Sequence, residues 1–243
     1  MSSQQTAVEQ FIVRQPLYNR LRYILHAGLR FLFWLLWRGD VTGLEHVPKA
    51  GGVILMMNHA TAIDPVVCTR LITHRYVITM AKIETLKNPV VWFFNGLWGN
   101  FVVKRGEVDR FALNSSIELL QHGQIVLIAP EGTRNRDGLK QPREGIAYIA
   151  AKAEVVIVPA VVVGADDWLK RLMRFRRVYS RVHFGRAFRF KLPANQRMTR
   201  NLREQMMQEA MYQLALAIPD EYAHYRGDYQ TIANATTETI EFV

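Results

Sequence analysis

The chain has 243 residues, 49% hydrophobic and 21% charged, which suits one full-sized domain with a large core and excludes disordered, collagen-like and low-complexity classes. Its one cysteine, Cys68, excludes an intramolecular disulfide and argues against a thiolate metal site. Lys and Arg number 31 against 21 Asp and Glu, and the resulting +10 favours an anionic partner: nucleic acid, anionic lipid headgroups or a phosphorylated substrate. Residues 1–10 contain Glu9 and no basic cluster, so the charged start of a secretory signal is missing. Residues 17–37 carry Arg20, Arg22 and Arg30, too many charges for a spanning helix. Asn19, Arg22, His26 and Arg30 fall on one helical stripe, Leu21, Ile24, Leu25 and Leu32 lie opposite, and 31–37 is apolar all round. A basic stripe opposite a Leu/Trp/Phe face predicts a helix lying in the membrane interface; the competing reading is a helix packed on the domain's own core.

Residues 43–48 form an entry loop, and 52–57 (GVILMM) are a buried strand. A turn over 58–63 leads to a helix start at Asp64-Pro65, Asp at the N-cap and Pro at the first helical position. Strands follow at 76–80, 100–103, 124–129 and 155–163, the last interrupted by Pro159, with further strands within 179–190. Helices alternate with them at 83–97, where Pro89 marks a break or fresh start, and at 108–121, 145–153 and 199–218. The pattern predicts an α/β fold, a single domain with a mixed central sheet flanked by helices. It divides into an N-terminal membrane-interface helix (1–40), the main domain (41–218) and a polar tail (219–243) without assigned structure.

The chemistry gathers at strand ends. Asn58-His59-Ala60-Thr61-Ala62-Ile63-Asp64 puts a His at the end of a buried strand and an Asp five residues on, where a tight turn can fold the carboxylate back onto the imidazole. The carboxylate would fix one ring nitrogen and leave the other free to take a proton, a general base without a nucleophile beside it. Lys104 and Arg105 end another short strand, and Pro130-Glu131-Gly132-Thr133-Arg134 follows a third. Arginine forks match phosphate oxygens, and Gly132 lets backbone N–H groups approach an anion. Glu131 could bind a substrate hydroxyl or hold Arg134 or Arg105 in place. Residues 88–103 contain no charge and could line an acyl groove, dip into a bilayer or pack in the core. Lys170, Arg171, Arg174, Arg176, Arg177 and Arg181 are six bases in twelve positions without an acid, a patch for anionic headgroups, an acidic carrier protein or the phosphates of coenzyme A.

These motifs, in this order, resemble the glycerolipid acyltransferase family, whose best-known members are the lysophosphatidate (1-acylglycerol-3-phosphate) acyltransferases. The N-H-x-x-x-x-D motif matches at Asn58, His59 and Asp64. A Gly followed by apolar residues and Arg matches from Gly99 to Arg105, with Lys104 where Asp is more usual. P-E-G-T-R matches in full, and Val158-Pro159-Ala160 looks like the fourth motif. The resemblance covers about residues 41 to 190. It implies that His59 is the base, that Asp64 orients it, and that the substrate-binding set is Asn58, Lys104, Arg105, Glu131, Gly132, Thr133 and Arg134. It also implies an acyl-CoA or acyl-carrier-protein donor, no cofactor or metal, and a lysophospholipid acceptor. The expected enzyme is an O-acyltransferase on the cytoplasmic face of an anionic membrane. Glycerol 3-phosphate or another lysolipid is the alternative acceptor, and a non-catalytic lipid-binding module the alternative class. Nucleic acid is set aside, because the aromatic residues sit in apolar runs rather than among Lys and Arg.

Overall fold

A computed structural model describes residues 7–82, 87, 89–98, 100–103, 110–191 and 198–243. The helices are α1 (Ala7–Val13), α2 (Gln15–Leu36), α3 (Asp64–Leu71), α4 (Pro89–Trp98), α5 (Arg110–Gln121), α6 (Gly145–Ala153), α7 (Trp168–Met173) and α8 (Arg200–Leu216). The strands are β1 (Trp37–Arg38), β2 (Val41–Thr42), β3 (Val53–Met57), β4 (Val77–Lys82), β5 (Phe101–Val103), β6 (Ile125–Ile128), β7 (Val156–Val163), β8 (Val178–Tyr179), β9 (Arg181–Phe184), β10 (Phe188–Phe190) and β11 (Ile240–Phe242).

Among the described residues these strands form a nine-stranded sheet in the order β11-β10-β7-β3-β6-β4-β5, with β9 also against β7 and β2 against β9. The pairings β7–β3, β3–β6, β6–β4 and β4–β5 are all parallel, whereas β9 and β10 run antiparallel to β7. The sheet is therefore mixed. The central strands are apolar throughout because helices cover both faces. Val53, Leu55 and Met57 join one core with Val67 and Cys68 of α3, while Ile54 and Met56 join another with α5, α6 and α8. Pro159 sits inside β7, which is continuous. Its missing N–H falls where the antiparallel neighbour changes from β10 to β9, and its carbonyl accepts from Gly185 N–H at 2.8 Å.

Two expectations need correction. The polar tail from 219 onward is folded onto the domain. Residues Asp220–Tyr229 form 3-10 turns that bury Tyr225 and Tyr229, and β11 pairs with β10. Glu209, on α8 and 1% exposed, draws the last segment in. Its carboxylate accepts from the N–H groups of Glu238 (3.2 Å) and Thr239 (2.8 Å) and from the hydroxyls of Thr236 (3.0 Å) and Thr239 (2.7 Å). Composition concealed this because two of these partners are backbone amides, which every residue carries, and the other two are hydroxyls of an otherwise polar segment. Glu209→Ala orphans several of these donors. It is expected to cost about 2–4 kcal/mol, read as a lowered Tm with earlier proteolysis of the C-terminal segment.

The second correction concerns α2, where Arg22 and His26 of the polar stripe turn toward the protein while Asn19 and Arg30 stay exposed. Arg22 is fully buried against α4. Its Nε donates to the Trp98 carbonyl at 2.5 Å, and its Nη1 donates to Gln15 Oε1 at 2.7 Å and Asn19 Oδ1 at 3.0 Å. Its guanidinium lies 5.7 and 5.4 Å from the Tyr18 and Tyr76 rings, and burial lowers its pKa to about 10. His26 packs against Trp98 with the ring centroids 5.0 Å apart and the planes tilted by 47°. The opposite face, with Tyr23, Ile24, Phe31 and Trp34, is exposed. No helix among the described residues is long and apolar enough to cross a membrane.

Candidate active site

Parallel pairing sends the carboxyl ends of β3, β6 and β7 to one edge of the sheet, where α/β sites form. His59 follows β3 directly. The next residues turn back, and Asp64 closes the turn. Asp64 does not cap α3 as expected, for Ile63 holds that position without a side-chain bond. Its carboxylate points backward instead. Oδ2 accepts from the N–H groups of Ala60 (2.9 Å) and Thr61 (2.6 Å), and Oδ1 accepts from the Thr61 hydroxyl. Asp64 is 1% exposed, so these donors replace its lost water. His59 Nδ1 lies 3.7 Å from Asp64 Oδ2, a charge contact longer than a hydrogen bond. Among the described residues that buried nitrogen has no hydrogen-bond partner, while the side chain as a whole remains 22% exposed.

The loop after β6 is tied to this turn. Asn135 N–H donates to the His59 carbonyl at 2.8 Å. Glu131 is buried, and its Oε2 accepts from the Asn135 amide and from Lys140 N–H at 3.1 Å. Burial pushes the Glu131 carboxyl upward, opposed by these two bonds and by the nearness of His59. Glu131 thus organises its own loop, and it makes no ion pair with Arg134. Gly132 turns the chain with φ +69°, and a Cβ there would lie 2.9 Å from Arg143 Nε. The C-terminal segment braces the loop's far end: Leu139 N–H donates to the Tyr225 carbonyl and Asp228 N–H to the Leu139 carbonyl, both at 2.9 Å. Gly138 and Gly227 cross so closely that a Cβ on Gly138 would meet Gly227 N at 2.6 Å.

Thr133 and Arg134 are exposed at this edge. Asn58 has a different job. Its Nδ2 donates to the Val162 carbonyl (2.9 Å) and its Oδ1 accepts from Val162 N–H (2.8 Å), so the buried amide clamps the end of β3 to β7. Lys104 and Arg105 lie outside the described residues, as do the side chains of Phe94 and Leu97. Of the uncharged run, Trp92 and Phe93 are exposed, and Trp98 turns inward to donate to the Val77 carbonyl at 3.0 Å. Arg143 was missed by sequence reasoning. It lies outside the P-E-G-T-R run, and its only local signal is a basic residue just before α6. The turn brings its side chain against Gly132, and among the described residues neither Arg143 nor Arg134 pairs with a carboxylate. No group of three or more His, Cys, Asp or Glu side chains gathers as a metal site among the described residues.

The acyltransferase family model matches residues 38–163, just over half of the chain and all of the elements that build this edge. The chain belongs to the acyltransferase family. It is 30% identical over 172 residues to a protein named 1-acyl-sn-glycerol-3-phosphate acyltransferase from Borreliella burgdorferi, covering 68% of each chain. It is 29% identical over 157 residues to the alpha form of the enzyme of that name from Homo sapiens, covering 63% of this chain and 54% of that one. The crystal structure of the 1-acyl-sn-glycerophosphate acyltransferase PlsC from Thermotoga maritima superposes with a TM-score of 0.57 over 81% of this chain and 79% of that one, at 22% identity. That likeness concerns the fold. In family terms, the His–Asp turn and the P-E-G-T-R loop are one bonded unit here, joined through Asn135 and the His59 carbonyl.

Proposed function

We propose that the chain is a 1-acylglycerol-3-phosphate O-acyltransferase, moving an acyl group from an acyl-CoA or acyl-carrier-protein thioester to the free hydroxyl of a lysophosphatidate-type acceptor. The observation that carries this reading is His59, partly open at the sheet edge with its buried Nδ1 facing Asp64 at 3.7 Å. His59 takes the proton of the acceptor hydroxyl, and the oxygen attacks the thioester carbonyl carbon. The Asp64 carboxylate stabilises the imidazolium as the Nδ1 contact tightens. Collapse of the tetrahedral intermediate breaks the carbon–sulfur bond, and the departing thiolate recovers the proton. Direct attack is supported by the lack of a competent nucleophile beside His59 among the described residues: the Thr61 hydroxyl is committed to Asp64, and burial with Asp64 close by pushes the Cys68 thiol up and keeps it protonated.

Arg134 and Arg143 are assigned to the acceptor phosphate, with Gly132 leaving room for Arg143, and Arg105 and Lys104 join them on their motif positions. Arg134→Ala is expected to raise the KM for lysophosphatidate about 10- to 100-fold, the scale of a lost charged hydrogen bond, with little change in the donor KM. Equal losses for donor and acceptor would remove Arg134 from the phosphate site.

The exposed apolar face of α2 is read as interfacial, set in the anionic cytoplasmic leaflet. The decisive assay gives the purified chain lysophosphatidate, glycerol 3-phosphate or a phosphate-free lysolipid, each with labelled acyl-CoA or acyl-carrier protein. Phosphatidate formation supports the proposal. Preferred acylation of glycerol 3-phosphate moves the acceptor assignment, and no transfer to any acceptor leaves a lipid-binding module.

A further inference from the structure

The segment after β7 leaves the sheet at the edge that holds His59, because β7 runs parallel to β3 and Val162 is bonded to Asn58. It forms α7 and a turn over residues 173–177. The six bases of this region are not equivalent. Arg171 pairs with Asp167 at 2.7 Å, and Arg181 pairs with Asp40 at 3.4 Å and with Glu221. Lys170, Arg174, Arg176 and Arg177 are exposed and meet no carboxylate among the described residues. At the crest of the turn, between Arg174 and Arg176, Phe175 is 99% exposed with a left-handed backbone at φ +53°. That conformation closes α7: Phe175 N–H donates to the Leu172 carbonyl at 3.0 Å and Arg176 N–H to the Arg171 carbonyl at 2.8 Å, which leaves the phenyl ring at the outer end of the helix. Met173 beside it is 66% exposed.

The turn is fastened to the carboxyl end of α2. Arg177 Nε donates to the Leu35 carbonyl at 3.1 Å, and β8, which follows the turn, pairs with β1, which follows α2. Trp34 and Leu35, both exposed, are thus its neighbours in the chain fold. Unpaired arginines flanking a fully exposed phenyl ring, continuous with an exposed apolar helix face, match an anionic bilayer. The cations meet lipid phosphates and the ring enters below them. A carrier protein would satisfy the charges, but it would not account for the continuity with α2.

We propose that residues 173–177 form a second membrane contact, in which Phe175 and Met173 enter an anionic phospholipid leaflet and Arg174, Arg176 and Arg177 hold its phosphates, so that two anchors press the catalytic edge to the bilayer. The placement rests on the interfacial reading of α2. The test separates the two readings by placing an environment-sensitive thiol dye on Phe175→Cys; Cys68 is buried and does not compete for the label. Vesicles of phosphatidylglycerol and phosphatidylcholine should shift the dye emission to the blue, and pure phosphatidylcholine should do so far less. Replacing Arg174, Arg176 and Arg177 together with Gln should weaken binding to the anionic vesicles by at least ~10-fold. Acyl transfer to a monomeric short-chain lysophosphatidate should persist. Co-sedimentation without a dye shift would overturn the second contact and leave α2 standing, whereas no co-sedimentation would overturn both. A shift produced by acyl-carrier protein and not by vesicles would reassign the turn to carrier docking.

Discussion

His59→Ala is expected to lower acyl-transfer turnover by at least ~100-fold while leaving the KM of donor and acceptor near their starting values, since general-base removal acts on the chemical step. The same substitution should change the Tm little, because among the described residues Nδ1 meets no hydrogen-bond partner and loss of the ring orphans none of them. Single-turnover rates with labelled acyl-CoA, measured beside a thermal melt, check both halves. Near-normal transfer by the Ala variant would remove the dyad from the mechanism.

Asp64 should behave differently because it has two tasks. Asp64→Ala leaves the N–H groups of Ala60 and Thr61 without an acceptor in a closed turn. At about 1–3 kcal/mol for each orphaned donor, stability should fall by roughly 2–5 kcal/mol. For a chain of this length that lowers Tm by roughly 5–15 °C. Asp64→Asn separates the tasks. Its oxygen can still accept from the two N–H groups, and the Thr61 hydroxyl can rotate to accept from the new amide. The fold should therefore survive with a cost of about 1 kcal/mol. The negative charge facing His59 is gone, and turnover should drop about 100- to 10,000-fold. If the Asn variant kept its activity, Asp64 would be only the latch of the turn.

The parts legible from sequence are those whose chemistry is local. The His59 and Asp64 spacing fits within one strand-to-helix turn, and the P-E-G-T-R run needs only its own glycine to form its bend. The central strands announced themselves as continuous apolar runs, since strands covered on both faces have no alternation to hide. The direction of α2 could not be read. Its periodicity located a polar stripe and an apolar face, but a stripe has the same period whether it meets headgroups or the Trp98 carbonyl. Arg22 was resolved only by the arrival of α4, Tyr18 and Tyr76 around it. Asn58 likewise matches a site motif in sequence, and only the Val162 backbone, 104 residues away, reveals that its amide is already used.

The sequence by itself determined the +10 charge that calls for an anionic partner, and the order of its motifs carried the resemblance that implies the reaction class. A short spacing of His and Asp, and arginines beside a glycine turn, constrain chemistry whatever surrounds them. Tertiary structure alone decided how that charge divides. It buried Arg22 and paired Arg171 and Arg181. It brought Arg143 to Gly132, left Arg174 and Arg176 open around Phe175 with Arg177 fastened to the Leu35 carbonyl, and folded the polar tail under the active-site loop. Each of those outcomes depends on which distant group satisfies a charge or a backbone amide, and such a partner is chosen by packing rather than by neighbours along the chain.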